Sequence, residues 1–454
     1  MNLTEGQRFL KEKKFNKALK IFVNLEKNNY YDNRVFFYLG LIYFELNHFE
    51  KSISYYKKFL SKDPDSSNTL LNLAIVKQTI GDLHAAREIY LKLINQNKKN
   101  IRAYYGLYLL DTKNFEQNNF KILFNIKKNN KLNLYDLSIV NFLLSKGEKK
   151  QKNIQKEIEY LNKFHVNIFN SNLYYNNSSQ FYYEKIIKKH FNKINIINKS
   201  SVSLKTKNIE PIFIIGLPRS GSTVVESILT SSKEKIMSYG ECHIFNMSIL
   251  DQISTEIYSN KFDQDKFNFE IDLKKINLAI IEKYSQHVSF KNEKPNKFID
   301  KSLENFFNIE IICKNFPKAK FLHTFRNPLD SIISIYQSML PDLSWAHSIE
   351  NILSYLDTYY KVMNYFKEKY PNIIFDVNLE DISNESEKTT KQIFRFCGLK
   401  WEKEILNFYR RKDLYSKTLS LKQIRSKVKK YDLQKYKPYY NLLDAYKDKY
   451  NWLK

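Results

Sequence analysis

The stretch FIIGLPRSGSTVVESIL, residues 213–229, identifies the architecture of the second half of this chain. It begins as an apolar run, passes through Gly216 and Gly221, and continues as an amphipathic segment. The spacing matches the phosphate-binding signature G-x-x-x-x-G-K-[ST] except that Ser222 stands where the signature has lysine. The pattern predicts a loop between a strand and a helix that binds an anion. It lacks the lysine that triphosphate hydrolysis requires.

The charge of this loop comes from an arginine. Successive backbone N–H groups and the positive end of the helix dipole already favour an anion at such a turn. Arg219 lies inside the loop, three residues before the position of the missing lysine. Because a guanidinium group is planar and donates in two places, it suits a tetrahedral oxyanion.

Length and composition predict a soluble chain of two domains. The chain has 454 residues, of which 43% are hydrophobic, which is enough for a large core. No uncharged apolar stretch reaches the roughly 18 residues of a membrane span, and the start MNLTEGQRFLKEKKF lacks the apolar region of a secretory signal. We therefore expect a cytoplasmic protein without a membrane span.

Charge and cysteine usage exclude several classes of protein. The net charge of +26 would fit a nucleic-acid partner, but the excess lysine is spread along the whole chain and is attached to no nucleic-acid module. We therefore predict no nucleic-acid binding. Cys242, Cys313 and Cys397 are too far apart in sequence to indicate a disulfide framework or a zinc cluster. No metal site is predicted.

The N-terminal third repeats itself with a period of 34 residues. The recurring small residues are Gly6, Gly40 and Ala74, then Ala18, Ser52 and Ala86, and the recurring aromatic residues are Phe22, Tyr56 and Tyr90. These are the close-contact positions of tetratricopeptide helix–turn–helix units, and a degenerate fourth unit is predicted over residues 101–126. Stacked units form a concave surface, which could bind a peptide or a partner protein.

The rest of the chain divides into two parts. Residues 127–204 keep a helical pattern without the period, and NKSSVSLKTKN, residues 198–208, has the composition of a linker. From Pro211 onward, short apolar runs alternate with amphipathic segments, which predicts an α/β domain with a parallel sheet. We predict all-α repeats over residues 1–126, a helical extension and linker over 127–204, and a P-loop-like α/β domain over 205–454.

Two motifs resemble the donor site of one enzyme family. PIFIIGLPRSGSTVVESIL, residues 211–229, is similar to the 5′-phosphosulfate loop of the sulfotransferases, particularly the bacterial ones with tetratricopeptide repeats and the related protein-tyrosine sulfotransferases. KAKFLHTFRNPLDSIISIY, residues 318–336, resembles their 3′-phosphate site, in which a serine follows an arginine by eight residues. The resemblance implies 3′-phosphoadenosine 5′-phosphosulfate as donor and no metal. The implied donor-binding residues are Arg219, Ser220, Gly221, Ser222, Thr223, Arg326 and Ser334.

The resemblance also implies catalytic residues. YGECHIF, residues 239–245, resembles the family's Gly-Glu segment, so Glu241 is the candidate base. FIDKSLENFFNI, residues 298–309, resembles its Asp-Lys segment, so Lys301 would stabilise the departing phosphate oxygen with help from Arg219. Such a transfer needs both a base and a positive charge at the leaving group.

Two segments depart from the family pattern. Where relatives often have a tyrosine near the adenine, DVNLEDI, residues 376–382, offers Asn378 and Leu379. The loop KTLSLKQIRSK, residues 417–427, keeps only Gln423 and Arg425 of a pattern that covers the donor in relatives.

The sequence therefore predicts transfer of a sulfonate group to a hydroxyl on a protein tyrosine, a glycan or a small metabolite. A P-loop kinase is the first alternative, opposed by the missing lysine. The second is an inactive repeat scaffold, opposed by the complete set of site residues. A thiol nucleophile at Cys242 beside His243 is a further alternative, which no other Cys, His and Asn arrangement supports.

Overall fold

The computed structural model describes residues 2–28, 32–197, 208–234, 236–257, 259, 263, 267–287, 296–411, 413–417 and 423–453. Two compact units divide the chain. The first contains residues 1–164 and 412–422, and the second contains residues 165–411 and 423–454. The boundary expected at residues 204 and 205, with nearly all of the linker at 198–208, is outside the described residues.

The first unit consists of consecutive helices joined by short turns. They are α1 (Leu3–Lys11), α2 (Phe15–Lys27), α3 (Arg34–Glu45), α4 (Phe49–Leu60), α5 (Ser67–Ile80), α6 (Leu83–Gln96), α7 (Ile101–Leu110), α8 (Gln117–Asn129), α9 (Leu134–Lys150) and α10 (Ile154–Ser171), the last of which continues into the second unit.

Small residues bring the paired helices of the first unit together. A Cβ atom at Gly40 would lie 2.5 Å from the ring of Tyr56, and one at Gly6 would lie 2.7 Å from the ring of Phe22. Gly106 lies similarly close to Tyr90: a Cβ atom at Gly106 would lie 2.3 Å from the Tyr90 ring. The predicted tetratricopeptide packing is therefore confirmed. The contact of Gly106 with Tyr90 joins α7 to α6 of the preceding pair.

A segment from late in the sequence also packs on the repeats of the first unit. The ring of Tyr415 lies 5.0 Å from that of Phe49, at the start of α4. The Ser416 N–H donates to the carbonyl of Thr79 (3.2 Å), at the end of α5. Lys417 Nζ donates to the carbonyl of Glu45 (3.1 Å), the last residue of α3. Residues 413–417 thus bind to the carboxyl ends of helices α3 and α5.

The second unit alternates helices and strands. Its α-helices are α11 (Leu173–Phe181), α12 (Lys188–His190), α13 (Ser222–Leu229), α14 (Ile244–Ile257), α15 (Leu273–His287), α16 (Ile309–Asn315), α17 (Pro328–Tyr336), α18 (Ile349–Lys369), α19 (Leu379–Asn384) and α20 (Ser386–Cys397). Its strands are β1 (Asn195–Ile197), β2 (Glu210–Gly216), β3 (Met237–Ser238), β4 (Glu270–Asp272), β5 (Lys297–Asp300), β6 (Lys320–Phe325) and β7 (Ile374–Asn378). A π-helical turn spans Tyr182–Ile187, and 3-10 turns span Leu303–Asn308, Ser344–His347, Lys403–Arg410, Gln423–Arg425, Lys437–Tyr446 and Asn451–Leu453.

The main sheet has the strand order β3-β5-β2-β6-β7, with every described pair parallel. Strand β2 lies at its centre and is buried from Pro211 to Gly216, as its continuous apolar sequence requires. The predicted α/β domain with a parallel sheet is confirmed. The strands β1 and β4 form a separate parallel pair.

Parallel strands place the candidate residues at one edge of the sheet. The carboxyl ends of β2, β5 and β6 lead into the glycine loop, Lys301 and Arg326 respectively, and β3 leads towards Glu241. The open edge at the carboxyl ends is where α/β sheets bind ligands. Within the described residues, no helix is both long enough and apolar enough to cross a membrane.

Candidate active site

The glycine loop after β2 requires glycine at both ends. Gly216 has φ +136°, and a Cβ there would lie 2.2 Å from the carbonyl oxygen of Thr324 on the neighbouring strand β6. Gly221 has φ +89°, and its Cβ would lie 2.5 Å from Leu379. Both conformations exclude ordinary side chains, so the backbone turns sharply into the amino terminus of α13.

The serine and threonine residues of the loop are mostly buried. Ser220 donates to the carbonyl of Leu217 (2.6 Å) and lies 2.8 Å from the hydroxyl of Thr324, so its side chain fastens the loop to β6. Ser222 and Thr223 form the first turn of α13 and are both buried. The predicted donor-binding stretch is therefore brought together, with the Ser220 hydroxyl engaged inside the protein.

Two arginines, Arg219 in this loop and Arg326 after β6, have part of their hydrogen-bonding capacity unused. Arg219 Nε and Arg326 Nε are buried and have no hydrogen-bond partner within the described part of the chain. Burial lowers the pKa of Arg219, and repulsion from Arg326 adds to this effect against the influence of Tyr436. The two guanidinium groups are therefore near enough to interact electrostatically. Because buried cations normally need a partner, this region fits an anionic ligand.

Arg326 and Ser334 converge at a third residue, Tyr436. Arg326 follows β6, and its Nη2 donates to the carbonyl of Asp330 (2.6 Å) in α17. Its guanidinium carbon lies 5.1 Å from the centre of the Tyr436 ring, and the Tyr436 hydroxyl donates to Ser334 Oγ (3.2 Å). The arginine and the serine of the predicted 3′-phosphate site therefore line one place.

Glu241 and Lys301 contact each other directly, although 60 positions separate them in sequence. Lys301 Nζ donates to Glu241 Oε1 at 2.5 Å and lies 3.6 Å from Glu226 Oε2. The lysine is 1% exposed, whereas the Glu241 side chain is 38% exposed. Burial alone would lower the pKa of Lys301, but the two carboxylates outweigh it and raise that pKa. Lys301 is therefore a fixed positive charge.

A buried carboxylate holds the Lys301 loop in place. Asp300 is fully buried and accepts hydrogen bonds from the Ser302 N–H (2.8 Å), the Tyr284 hydroxyl (2.5 Å) and the Cys242 thiol (3.2 Å). Burial raises the pKa of Cys242 well above its usual value, with the Asp300 charge acting in the same direction. A protonated thiol that donates to a carboxylate is a poor nucleophile, which disfavours the thiol alternative.

His243, next to this group, pairs with Glu304. The Glu304 carboxylate outweighs burial and raises the pKa of His243 to about 9. The imidazole is therefore protonated at neutral pH and cannot accept a proton there. Glu241 therefore stays the candidate base of the segment.

The C-terminal residues Gln423 and Arg425 form a 3-10 turn that packs against α13. Gln423 is exposed, and burial lowers the pKa of Arg425. Residues 418–422 of the same predicted loop are outside the described residues. In the late strand, the Asn378 side chain accepts from the Glu380 N–H (2.9 Å) and caps α19, so it is already engaged.

Sequence reasoning missed several members of this site. Glu226 lies three residues after Thr223 in α13, and an acidic residue so close to an anion loop was a usable signal. Asp300 stood next to Lys301 in the quoted segment, yet two of its donors, Tyr284 and Cys242, come from other segments of the chain. Nothing in the sequence near Tyr436 indicated its place beside Arg326.

Comparison with known proteins agrees with this architecture. Residues 211–403 match the model of the Sulfotransferase family, and residues 34–66 match that of the Tetratricopeptide repeat. The first match contains the glycine loop, Glu241, Lys301, Arg326 and Ser334. The fold is thus a set of tetratricopeptide repeats followed by a sulfotransferase domain with a parallel sheet.

Two curated proteins match parts of this chain. An uncharacterized protein of Aquifex aeolicus (strain VF5) is 28% identical over 236 residues, which cover 50% of this chain and 30% of that protein. The Sol locus transcriptional repressor of Clostridium acetobutylicum is 33% identical over 75 residues, which cover 16% of this chain and 24% of that protein. This chain therefore spans less than a third of either relative.

Two solved structures are also similar. The sulfotransferase domain of the Synechococcus PCC 7002 olefin synthase is 19% identical, with 53% of this chain and 96% of that chain covered and a TM-score of 0.30. A sulfotransferase from Mycobacterium tuberculosis is 12% identical, with 76% of this chain and 97% of that chain covered and a TM-score of 0.34.

Proposed function

We propose that this protein transfers a sulfonate group from 3′-phosphoadenosine 5′-phosphosulfate to a hydroxyl group. One observation carries the proposal. Arg219 and Arg326 are two neighbouring guanidinium groups whose Nε atoms are buried and unpaired within the described residues. Together with the family match over residues 211–403, they favour a donor that carries anionic groups at two places.

The residues present fit such a donor. The backbone of the loop from Gly216 to Thr223 and the Arg219 side chain would hold the 5′-phosphosulfate. Arg326 and Ser334 would hold the 3′-phosphate, which ATP lacks. Gln423 and Arg425, on the turn against α13, would cover the bound donor.

The chemistry follows from the pair at the carboxyl ends of β3 and β5. Glu241, the partly exposed partner, would accept the proton of the incoming hydroxyl through the oxygen that Lys301 does not bind. Lys301, whose raised pKa keeps it charged, would stabilise the negative charge that develops on the departing phosphate oxygen, assisted by Arg219.

The acceptor is proposed to be a polypeptide tyrosine or a glycan hydroxyl. The repeats favour a polypeptide, because tetratricopeptide units commonly bind proteins, and they would make this chain a functional relative of the protein-tyrosine sulfotransferases. Incubation with labelled donor and a cell lysate would identify the acceptor class. Label in protein supports a polypeptide acceptor, and label only in glycans or small molecules rejects it.

Donor identity is tested by thermal-shift titration. We expect 3′-phosphoadenosine 5′-phosphate to raise the melting temperature of the full chain and ATP with Mg²⁺ to leave it unchanged. Equal stabilisation by ATP with Mg²⁺ would reject the proposal and favour a kinase. Binding of the donor without any label transfer would instead favour an inactive scaffold.

A further inference from the structure

The C-terminal segment after Arg425 is tied to α17 by three tyrosine hydroxyls. Tyr431 and Tyr440 both donate to the buried carboxylate of Asp330, each at 2.5 Å, so their hydroxyls have a negatively charged partner. Tyr436 donates to the neutral Ser334 Oγ instead. Three tyrosine hydroxyls therefore donate to residues of α17. Among these three, the Tyr436 hydroxyl is the one that bonds a residue of the predicted 3′-phosphate site.

The surroundings of Tyr436 are strongly positive. Its side chain is 6% exposed, and the Arg326 guanidinium carbon lies 5.1 Å from its ring centre. Lys435 Nζ lies 4.9 Å from the same ring, and Arg219 interacts electrostatically with both Tyr436 and Arg326. A hydroxyl donor held among three cations is well placed for an oxyanion.

The positions of Arg326 and Ser334 indicate where a bound phosphate would lie relative to the Tyr436 hydroxyl. Any oxyanion bound by both Arg326 and Ser334 must lie between them. The Tyr436 hydroxyl already bonds one of these residues while its ring contacts the other. We propose that the Tyr436 hydroxyl is a third ligand of the donor's 3′-phosphate, an assignment that rests on the function proposed above. The O–H bond needs only to rotate from Ser334 Oγ to a phosphate oxygen.

This role has a consequence for pH. Burial alone would raise the pKa of Tyr436, but Arg326 and Lys435 outweigh it and lower that pKa to about 8. Below this value the hydroxyl donates to the phosphate, and above it the phenolate repels the phosphate. Affinity for the 3′-phosphate should therefore fall as pH rises through about 8.

The test compares two nucleotides on the full chain by calorimetry between pH 6.5 and 9.5. The probes are 3′-phosphoadenosine 5′-phosphate and adenosine 5′-phosphate, which lacks the 3′-phosphate. We expect Tyr436→Phe to weaken binding of the first about tenfold or more, as loss of a hydrogen bond to a charged group does, and to leave the second unchanged. We expect the wild type to lose up to about tenfold in affinity per pH unit above 8 and the variant to lose none.

Tyr440→Phe is the matched control, because it removes a hydroxyl of the same segment that bonds Asp330 instead. It should keep the alkaline loss of affinity. Tyr436→Phe keeps Lys435, so Lys435 cannot be the cause if the alkaline loss of affinity disappears in this variant.

Three results would overturn the inference. If Tyr436→Phe binds the bisphosphate as tightly as wild type or more tightly, the hydroxyl is not a ligand. If it weakens both nucleotides equally and keeps the pH profile, the role is structural. If the wild type itself does not prefer the bisphosphate over adenosine 5′-phosphate, the donor assignment fails, and this inference fails with it.

Discussion

Lys301 is held in the interior by two carboxylates, Glu241 and Glu226, rather than by one. A buried lysine with a single partner would lose much of its charge on desolvation, and removal of a partner from a buried pair is strongly destabilising. Glu226, on α13, is the second carboxylate beside the Lys301 ammonium group. Its other oxygen accepts a hydrogen bond from the Ser238 hydroxyl (2.5 Å). This arrangement would keep a carboxylate beside Lys301 if Glu241 accepts a proton, as proposed.

Replacement of the candidate base separates chemistry from binding. Glu241→Gln should reduce turnover by roughly 10²-fold or more, the usual contribution of a general base, while affinity for 3′-phosphoadenosine 5′-phosphate is kept. Steady-state sulfonate transfer together with calorimetry measures both quantities. Glu385→Gln, an exposed glutamate paired with Lys388, is the control and should change neither. Unchanged turnover in Glu241→Gln would remove this residue from the mechanism.

The sequence predicted the site residues that directly follow strands. Lys301 and Arg326 come immediately after β5 and β6, and the glycine loop comes immediately after β2, so local motifs contained them. Glu226, Asp300 and Tyr436 act through contacts with residues far away in the chain. Such contacts follow from how the sheet and the C-terminal segment pack. Of the three residues, only Glu226, close to the anion loop, had a local signal in the sequence.

At the scale of elements, Gly40 of α3 allows that helix to pack closely against α4. An alanine at position 40 would gain up to about 1 kcal/mol of helix propensity, but its Cβ would lie 2.5 Å from the ring of Tyr56, which is 1% exposed. A buried ring cannot move away without disturbing its own neighbours. The steric term therefore outweighs the propensity gain.

We expect Gly40→Ala to destabilise the repeats by about 1–3 kcal/mol, the usual size of overpacking. Urea unfolding followed by circular dichroism measures the change. Ser54→Ala, exposed on the facing helix α4, is the matched control and should be neutral or slightly stabilising. If Gly40→Ala were stabilising, the close approach of α3 and α4 would be wrong.

The longer elements were predictable and the shortest were not. Strands β2, β6 and β7 coincide with the short apolar runs IFIIG, KFLHTF and IIFDVN of the sequence. Strand β3 contains two residues, and β1 and β4 contain three each, which is too few for any hydrophobic period to be read. These short strands form because a neighbouring strand supplies their partners.

At the scale of the whole molecule, the chain enters the first unit twice, over residues 1–164 and again over 412–422. The second passage is anchored by Tyr415, Ser416 and Lys417 on the helices α3 to α5. The repeats therefore already bind one peptide segment, which belongs to their own chain.

This anchoring is testable by amide hydrogen exchange. Tyr415→Ala removes a ring contact worth about 0.5–1.5 kcal/mol, so exchange of the Ser416 amide should accelerate about 2–10-fold. Lys403→Ala, exposed in the second unit, is the control and should leave this amide unchanged. An unchanged Ser416 amide in Tyr415→Ala would mean that the Tyr415 ring does not anchor the segment.

The double passage of the chain also limits how this protein can recombine in evolution or in the laboratory. A chimera that exchanged only residues 1–164 would place residues 413–417 against the helices of a foreign repeat unit. Their three anchoring contacts depend on Phe49 and on the ends of α3 and α5. An exchange that preserves these contacts must therefore transfer the repeats together with residues 413–417 of the C-terminal sequence.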